Sequence, residues 1–359
     1  MNLETLWFWL AACSFAAYVV LDGFDLGVGL LSRVLARTRS ERALVMRSIG
    51  PVWDGNEVWL LAAGGTLYFA FPKLYATAIA GFYLPVNILV WLLAFRALGL
   101  EMKHQMHHPL WDDLWDAAFF GSSALITLFL GVALGNVVRG LPIDERGTFF
   151  APLWTDFTVS DNAGILDWFT VLVGLTAMSA LALHGALWIA HRVEGPPAER
   201  AARLAVPLAA ATGVAFALTS AAVFSVKTDI AVSARTAIPP FVAALALGAA
   251  AALARRGSFR AAFRASAAMS AAMVLTAAAA MYPFVLPSRR PGLGLTIEAA
   301  KTSDYGLTVG LLWWIPGTAL ALGYFVFMYR KLPDVVRATD ADAEPHSTAA
   351  PRSHSPESE

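Results

Sequence analysis

Two pairs of carboxylates near the start of the chain are the residues most able to do chemistry. In the first pair, Asp22 and Asp25 lie three residues apart within the apolar stretch 21–29, so they share one face of a helix. An ionisable side chain at the centre of a membrane helix costs about 2.5–3.5 kcal/mol, which makes a functional role the default interpretation. Two neighbouring carboxyls in a medium of low dielectric cannot both ionise at low cost. At least one is therefore expected to hold a proton, unless the pair only makes a packing contact or reaches interfacial water.

The second pair, Asp54 and Glu57, opens the next apolar segment. Asp54 could cap a helix N-terminus, with Glu57 completing a capping box three residues later. Capping does not explain Asn56 or the flanking Trp53 and Trp59. The alternative is a polar, water-accessible route from one membrane face, which both pairs would share. The two interpretations are compatible, and both stay open.

The histidines give a weaker signal. His184 and His191 are seven residues apart in one apolar segment, whereas axial haem ligands in a bundle generally come from facing helices. A hydrogen-bonded packing role is therefore favoured for His184. A hydrated loop is favoured over a metal site for the other cluster: His104, His107, His108, Asp112, Asp113 and Asp116. The single cysteine, Cys13, excludes an internal disulfide, a cysteine zinc site and an iron–sulfur cluster.

The elements that position these residues are membrane helices. Of 359 residues, 58% are hydrophobic and 14% are charged, whereas soluble domains carry roughly 25% charged residues. The net charge is zero, so nothing indicates a nucleic-acid partner. A span needs about 20 apolar residues. Nine segments qualify, of which the second and seventh are short: roughly 6–32, 55–71, 74–99, 117–138, 165–191, 204–225, 238–254, 262–286 and 305–330.

The basic residues predict the orientation. With the N-terminus outside, inner loops and tail would hold about 18 of the 26 Lys and Arg residues, which follows the positive-inside rule. Nine spans then place the C-terminus in the cytoplasm. We expect residues 1–331 to form one polytopic membrane domain. Residues 332–359, rich in Asp, Glu, Ser, Pro and His, are expected to be a disordered cytoplasmic tail.

The two carboxylate motifs resemble subunit II of the cytochrome bd-type quinol oxidases. The resemblance rests on the strings Leu21–Gly29 and Gly50–Leu60, and it extends over most of the chain. Further matching strings are Gly64-Gly65, Phe71-Pro72, Gly81-Phe82-Tyr83 and Met281–Ser288.

That resemblance implies an all-α protein with about nine transmembrane helices, arranged as two helical bundles plus one peripheral helix. It implies a complex of the bacterial inner membrane that oxidises quinol and reduces dioxygen to water. Haem b and haem d would belong to a partner, subunit I. This chain would ligate no haem or metal and hold no catalytic residue, and its cofactor-binding residues stay unknown. A structural quinone and a small accessory subunit are further expectations, and membrane lipid surrounds the whole.

The resemblance also implies residue roles. Asp54 is the leading candidate for a proton path from the cytoplasm, with Asp25, Asp22 and Glu57 as companions. Trp59 is a candidate for the wall of the dioxygen route.

Two other classes of protein are open on the residues alone. An ion-coupled secondary transporter would also carry intramembrane carboxyls and helices interrupted by glycine. The sequence lacks the matched pair of broken helices that such carriers show in their two halves. A membrane anchor that binds haem or quinone for a soluble dehydrogenase would need at least two well-placed histidines, and only His184 is deep.

Overall fold

The computed structural model describes residues 2–106, 108–160, 163–227 and 232–337. Twelve α-helices and one short hairpin make up the described chain. The helices are α1 (Leu3–Leu35), α2 (Arg39–Arg47), α3 (Trp53–Ala70), α4 (Pro72–Gly81), α5 (Tyr83–Glu101), α6 (Pro109–Arg139), α7 (Trp168–Arg192), α8 (Pro196–Val226), α9 (Ala234–Arg255), α10 (Phe259–Met281), α11 (Ile297–Ala300) and α12 (Asp304–Lys331). The hairpin pairs β1 (Phe284–Leu286) antiparallel to β2 (Leu295–Thr296).

Eight helices in the described chain are long and apolar enough to cross a membrane: α1, α5, α6, α7, α8, α9, α10 and α12. The predicted all-α membrane fold is therefore confirmed. The predicted second span corresponds to α3, which has only 18 residues and carries Asp54, Asn56 and Glu57 near its start. Because of these polar residues, α3 is not apolar enough to count among the eight candidate spans. The predicted number of nine spans is therefore approximate.

The predicted third span, 74–99, is wrong as one continuous helix. The chain breaks at Phe82, between α4 and α5. Pro85 explains the break, because its ring would clash with the carbonyl of Gly81 four residues earlier and it has no N–H to donate. The predicted eighth span, 262–286, is too long for a similar reason. Its helix ends at Met281, because a residue that precedes a proline, here Tyr282, disfavours the helical region.

Helix α1 runs through the centre of the molecule and packs against α3, α6, α7 and α10. Its approach to α7 depends on two glycines, since a Cβ on Gly27 would lie 2.9 Å from the Cα of Gly185. Such close contact between small residues is how helices associate in lipid, where no hydrophobic effect drives them together. Helix α12 is peripheral and packs mainly along α1. These contacts place residues from α1, α3, α5 and α12 around one buried region.

The start of the predicted tail is ordered against α7. Val336 N–H donates to the carbonyl of Arg192 at 2.8 Å, and the Arg192 side chain donates to the carbonyl of Pro333 at 2.6 Å. Residues 332–337 therefore belong to the folded body. The rest of the predicted tail, 338–359, lies outside the described residues, as does His107 of the predicted loop.

Candidate functional site

An arginine that no motif indicated is the centre of the buried polar region. Arg96 of α5 is fully buried and donates to both carboxylate oxygens of Asp22 on α1, with Nη1 3.0 Å from Oδ2. The same Nη1 donates to Glu57 Oε2 of α3 at 3.2 Å. A bidentate contact of this kind is the strongest form of the Arg–carboxylate ion pair. Three helices are therefore joined by one guanidinium.

A second chain of hydrogen bonds lies beside the first. The amide of Asn56 on α3 donates to Asp25 Oδ2 at 2.8 Å. Its oxygen accepts from the hydroxyl of Tyr329 on α12, also at 2.8 Å. The other oxygen of Asp25 is buried and has no hydrogen-bond partner among the described residues. Asp25 thus has one oxygen held in place and one free to carry a proton.

The charges of this region do not balance. Three carboxyls, Asp22, Asp25 and Glu57, meet one cation, Arg96, in the described part of the chain. Asp22 forms the bidentate ion pair with the guanidinium of Arg96. The side chain of Glu57 is 23% exposed, so water can reach it. A buried carboxylate without a cation is very costly and normally neutralises itself. Asp25 is therefore the surplus carboxyl of this region.

Asp54 lies outside this network. It is exposed and forms no hydrogen bond or ion pair with the described residues. The helix cap is Val52, and no side chain caps α3, so the interpretation of Asp54 and Glu57 as a capping box is wrong. Glu57 turns to Arg96 instead of back to the helix end. Because Asp54 and Glu57 are three residues apart, they share a face of α3. Asp54 is at the surface end of this face, and Glu57 contacts the buried Arg96.

Trp59 lies beside a groove between α1, α3 and α12. The indole is 8% exposed and meets the ring of Phe325 edge-on, with centroids 5.7 Å apart. The groove has a volume of about 530 Å³ and is mostly apolar, with Trp7, Trp314 and Thr66 in its wall. It could admit a small apolar molecule.

A separate apolar cavity of about 350 Å³ lies between α1 and helices α6 to α10. Its wall includes Tyr18, whose hydroxyl lies near Asp22, and Ser270, whose hydroxyl is buried without a partner in the described structure. A cavity of this size and character can hold a drug-sized apolar ligand with one or two polar groups.

The histidines fit a packing role. His184 is buried, with Nδ1 2.7 Å from Ser266 Oγ and Nε2 3.0 Å from the carbonyl of Val20, and it stacks on Phe263. Both ring nitrogens are therefore occupied, and the predicted hydrogen-bonded role of His184 is confirmed. The predicted hydrated loop is wrong for Asp112, Asp113 and Asp116, which lie in the first turns of α6. These aspartates pair with cations: Asp112 lies 2.7 Å from Arg39 and Asp116 lies 2.8 Å from Arg42. The described residues include no group of three or more His, Cys, Asp or Glu able to hold a metal.

Two residues of the site are missing from the sequence-based prediction. Arg96 could have been found, because it is a charged residue inside the apolar segment 74–99 and the rule that singles out Asp22 applies equally to it. Tyr329 gives no such signal. It lies near the end of an apolar helix, and its partner Asn56 is 273 residues away in the sequence.

Comparison with known proteins gives consistent matches. The sequence profile of the family described as cytochrome bd terminal oxidase subunit II matches residues 3–332. The chain is 30% identical to "Cytochrome bd-I ubiquinol oxidase subunit 2" of Escherichia coli K12, over 96% of this chain and 98% of that protein. It is 29% identical to "Probable cytochrome oxidase subunit 2" of Haemophilus influenzae, over the same shares of the two chains.

Among solved structures, the fold resembles a chain of the bd oxidase from Geobacillus thermodenitrificans, with a TM-score of 0.73. The match covers 92% of this chain and 98% of that chain. Because the sequence identity is only 18%, the match supports the fold alone.

Proposed function

Because the chain belongs to the family of cytochrome bd terminal oxidase subunit II, we propose that it is the second subunit of a complex that oxidises quinol and reduces dioxygen to water. Its partner would be a subunit that carries haem b and haem d, while this chain ligates no haem. The family match also decides against the ion-coupled transporter and the membrane anchor considered from the residues. The proposed location is the bacterial inner membrane, with the N-terminus outside and the C-terminus in the cytoplasm.

The observation that carries this proposal is the excess of buried carboxyls around Arg96. Reduction of dioxygen to water consumes protons, and the haems of the partner would supply the electron chemistry when the complex is assembled. What this chain can supply is proton transfer through a membrane helix bundle. The network joins a residue close to one membrane face, Glu57, to Asp22 and Asp25 in the middle of α1.

The proposed path begins at Asp54, which is exposed at the end of α3 that the orientation places toward the cytoplasm. A proton passes by water to Glu57, whose side chain is partly exposed. Arg96 pairs with Asp22 and also donates to Glu57, so it connects the partly exposed end of the path to the carboxyls of α1. Asn56 fixes one oxygen of Asp25 and leaves the other to bind and release the proton.

Two further roles rest on the cavities. The groove beside Trp59 is proposed as part of the route by which dioxygen reaches the partner, because it is apolar and lies against peripheral α12. The cavity at Tyr18 and Ser270 is proposed to hold a structural quinone. Its apolar wall suits an isoprenoid tail, and the unpartnered hydroxyl of Ser270 suits a carbonyl oxygen of a quinone ring.

The test of the proposed function is a difference spectrum of what co-purifies with a tagged form of the chain from its native membranes. Dithionite-reduced minus air-oxidised absorption is expected to show a red-shifted haem d band together with haem b bands. Purification of the chain without any haem-bearing partner would contradict the proposal. Proton uptake or substrate flux by the chain alone in vesicles would point back to a transporter.

A further inference from the structure

Four arginines crowd the turn between α9 and α10. They are Arg255, Arg256, Arg260 and Arg264. All four are exposed, and the sequence contains no acidic residue between Asp229 and Glu298. The two helices and their turn therefore offer no carboxylate to offset this charge. The positive charge is concentrated at the end of two apolar helices.

Two of the four arginines line a groove of about 460 Å³ at this end of the molecule. The groove is bounded by residues 257–261 and Arg264, and by His191 at the end of α7. Arg260 and Arg264 belong to its wall, whereas Arg255 and Arg256 on the same turn do not. The turn thus divides into two arginines that line the groove and two that do not.

The groove has little negative charge of its own. Arg260 pairs with Asp334, but both side chains are largely exposed, at 58% and 82%. An exposed pair of this kind contributes little, and a stronger anion can displace it. Arg264 has no ion pair or hydrogen bond with any described residue. His191 donates through Nδ1 to the carbonyl of Leu187 at 2.8 Å, so the ring is held in place and brings no negative charge.

The groove lies where apolar helix surface meets the polar end of the bundle. Helix α10, which begins in the groove, is long and apolar enough to cross a membrane. Phe259 in its first turn lines the groove, and Ala268, one turn after Arg264, is exposed. A bound molecule would therefore meet positive charge at one end and apolar surface beyond it. A free phosphate ion could use only the first of these features.

We propose that this groove binds the phosphate group of one anionic phospholipid, held by Arg260 and Arg264, with the acyl chains along α10. Clusters of four or more basic residues just outside a membrane helix attract anionic lipid. The two arginines in the groove add a specific place for the phosphate. This binding site is independent of the proton path, since none of its residues belongs to the network around Arg96.

The test uses the purified oxidase complex in neutral detergent, with lipid binding measured by native mass spectrometry. The probes are dioleoyl phosphatidylglycerol and, for comparison, zwitterionic dioleoyl phosphatidylcholine. We expect R264Q to weaken phosphatidylglycerol binding about fivefold and R260Q/R264Q about 25-fold, since each surface arginine contributes roughly this much. The matched control R255Q/R256Q, which removes equal charge from the same turn, should change binding less than about twofold.

Three outcomes would overturn the proposal. Equal loss in R255Q/R256Q would mean that general charge at the turn attracts lipid without a defined site. Unchanged binding in R264Q and R260Q/R264Q would mean that the lipid binds elsewhere. Full competition by millimolar inorganic phosphate would assign the groove to a soluble anion. Because Arg264 is exposed and unpaired in the described structure, R264Q should fold, and an unaltered haem spectrum of the complex checks this.

Discussion

Two arginine–aspartate pairs are fully buried in the part of the chain that the structure describes, and their surroundings differ. Arg139 and Asp167 join the end of α6 to the start of α7, while Arg96 and Asp22 join α5 to α1. In both pairs the two side chains have no exposed surface. By residue type and burial alone the two pairs would be assigned the same role.

The partners of each pair separate them. Around Arg139 there is no surplus carboxylate, because Asp167 is the one carboxylate it meets among the described residues and the other charged neighbour, Arg289, is a cation. The hydrogen bonds of Arg139 go to neutral groups: Nη2 donates to Asn136 Oδ1 at 2.7 Å and Nη1 to the carbonyl of Gly164 at 3.3 Å. Asp167 also caps α7 by accepting from the N–H groups of Phe169 and Thr170. This pair fixes a helix connection, and it includes no carboxyl beyond the one that pairs with Arg139.

Around Arg96 the carboxyls are in excess, and one of them, Asp25, has an oxygen without a partner in the described structure. A site without a surplus carboxyl has no group that can bind and release a proton, whereas an excess of carboxyls provides one. The comparison teaches that surplus carboxyl groups, more than burial, distinguish the candidate site from a structural ion pair.

Removal of Arg139 should have the largest effect. R139Q leaves Asp167 buried without its cation, which typically costs about 3–5 kcal/mol. We expect the complex to be largely lost from membranes, measured by haem content per unit of membrane protein. R139Q/D167N removes both charges and keeps an Asn that can cap α7. This double variant should recover both assembly and turnover per haem, and recovery of assembly without turnover would contradict a purely structural role.

Removal of Arg96 should also reduce assembly, because R96Q leaves Asp22 unpaired in the interior, at a cost of about 3–5 kcal/mol. The double variant R96Q/D22N removes the unpaired charge and should recover assembly. Here turnover per haem should stay low, since the charges that support proton movement are gone. If R96Q/D22N were as active as the unaltered complex, the difference between the two pairs would disappear.

Asp25→Asn tests the surplus carboxyl itself. The substitution keeps the size of the side chain and adds no buried charge, so haem content should be unchanged. Turnover with quinol and dioxygen should fall about 100-fold, the scale of effect when a positioned proton-transfer group is lost. Asn136→Asp is unsuitable as a control because it adds charge beside Arg139. Ser32→Ala, a buried polar change on α1 whose hydroxyl donates only to the carbonyl of Gly29, should leave turnover within about twofold.

Asp54→Asn should have the smallest effect. The residue is exposed and outside the hydrogen-bonded network, so water can replace part of its role. We expect turnover to fall less than about tenfold, with haem incorporation intact. Stopped-flow proton uptake by the complex would locate the slowed step. Loss of assembled haem in step with turnover would instead make Asp54 structural.

Much of the candidate site could be predicted from sequence, for a definite physical reason. Charged and amide side chains in an apolar segment are so costly that Asp22, Asp25, Asn56 and Glu57 attract attention without any structure. The same rule would have included Arg96. The prediction was less successful where a local feature had two interpretations. Asp54 fits a helix cap by spacing, and only the backbone shows that Val52 holds that position.

The sequence by itself determined that this is a helical membrane protein, because apolar length and the scarcity of charge leave no other way to satisfy the backbone in lipid. Its motifs also determined the family. Only the tertiary structure decided which charges meet. Arg96 joins Asp22 across 74 residues and Tyr329 reaches Asn56 across 273, since helix packing, and not spacing along the chain, sets these distances. Helix packing therefore decided that the surplus carboxyl lies beside Arg96 and not beside Arg139.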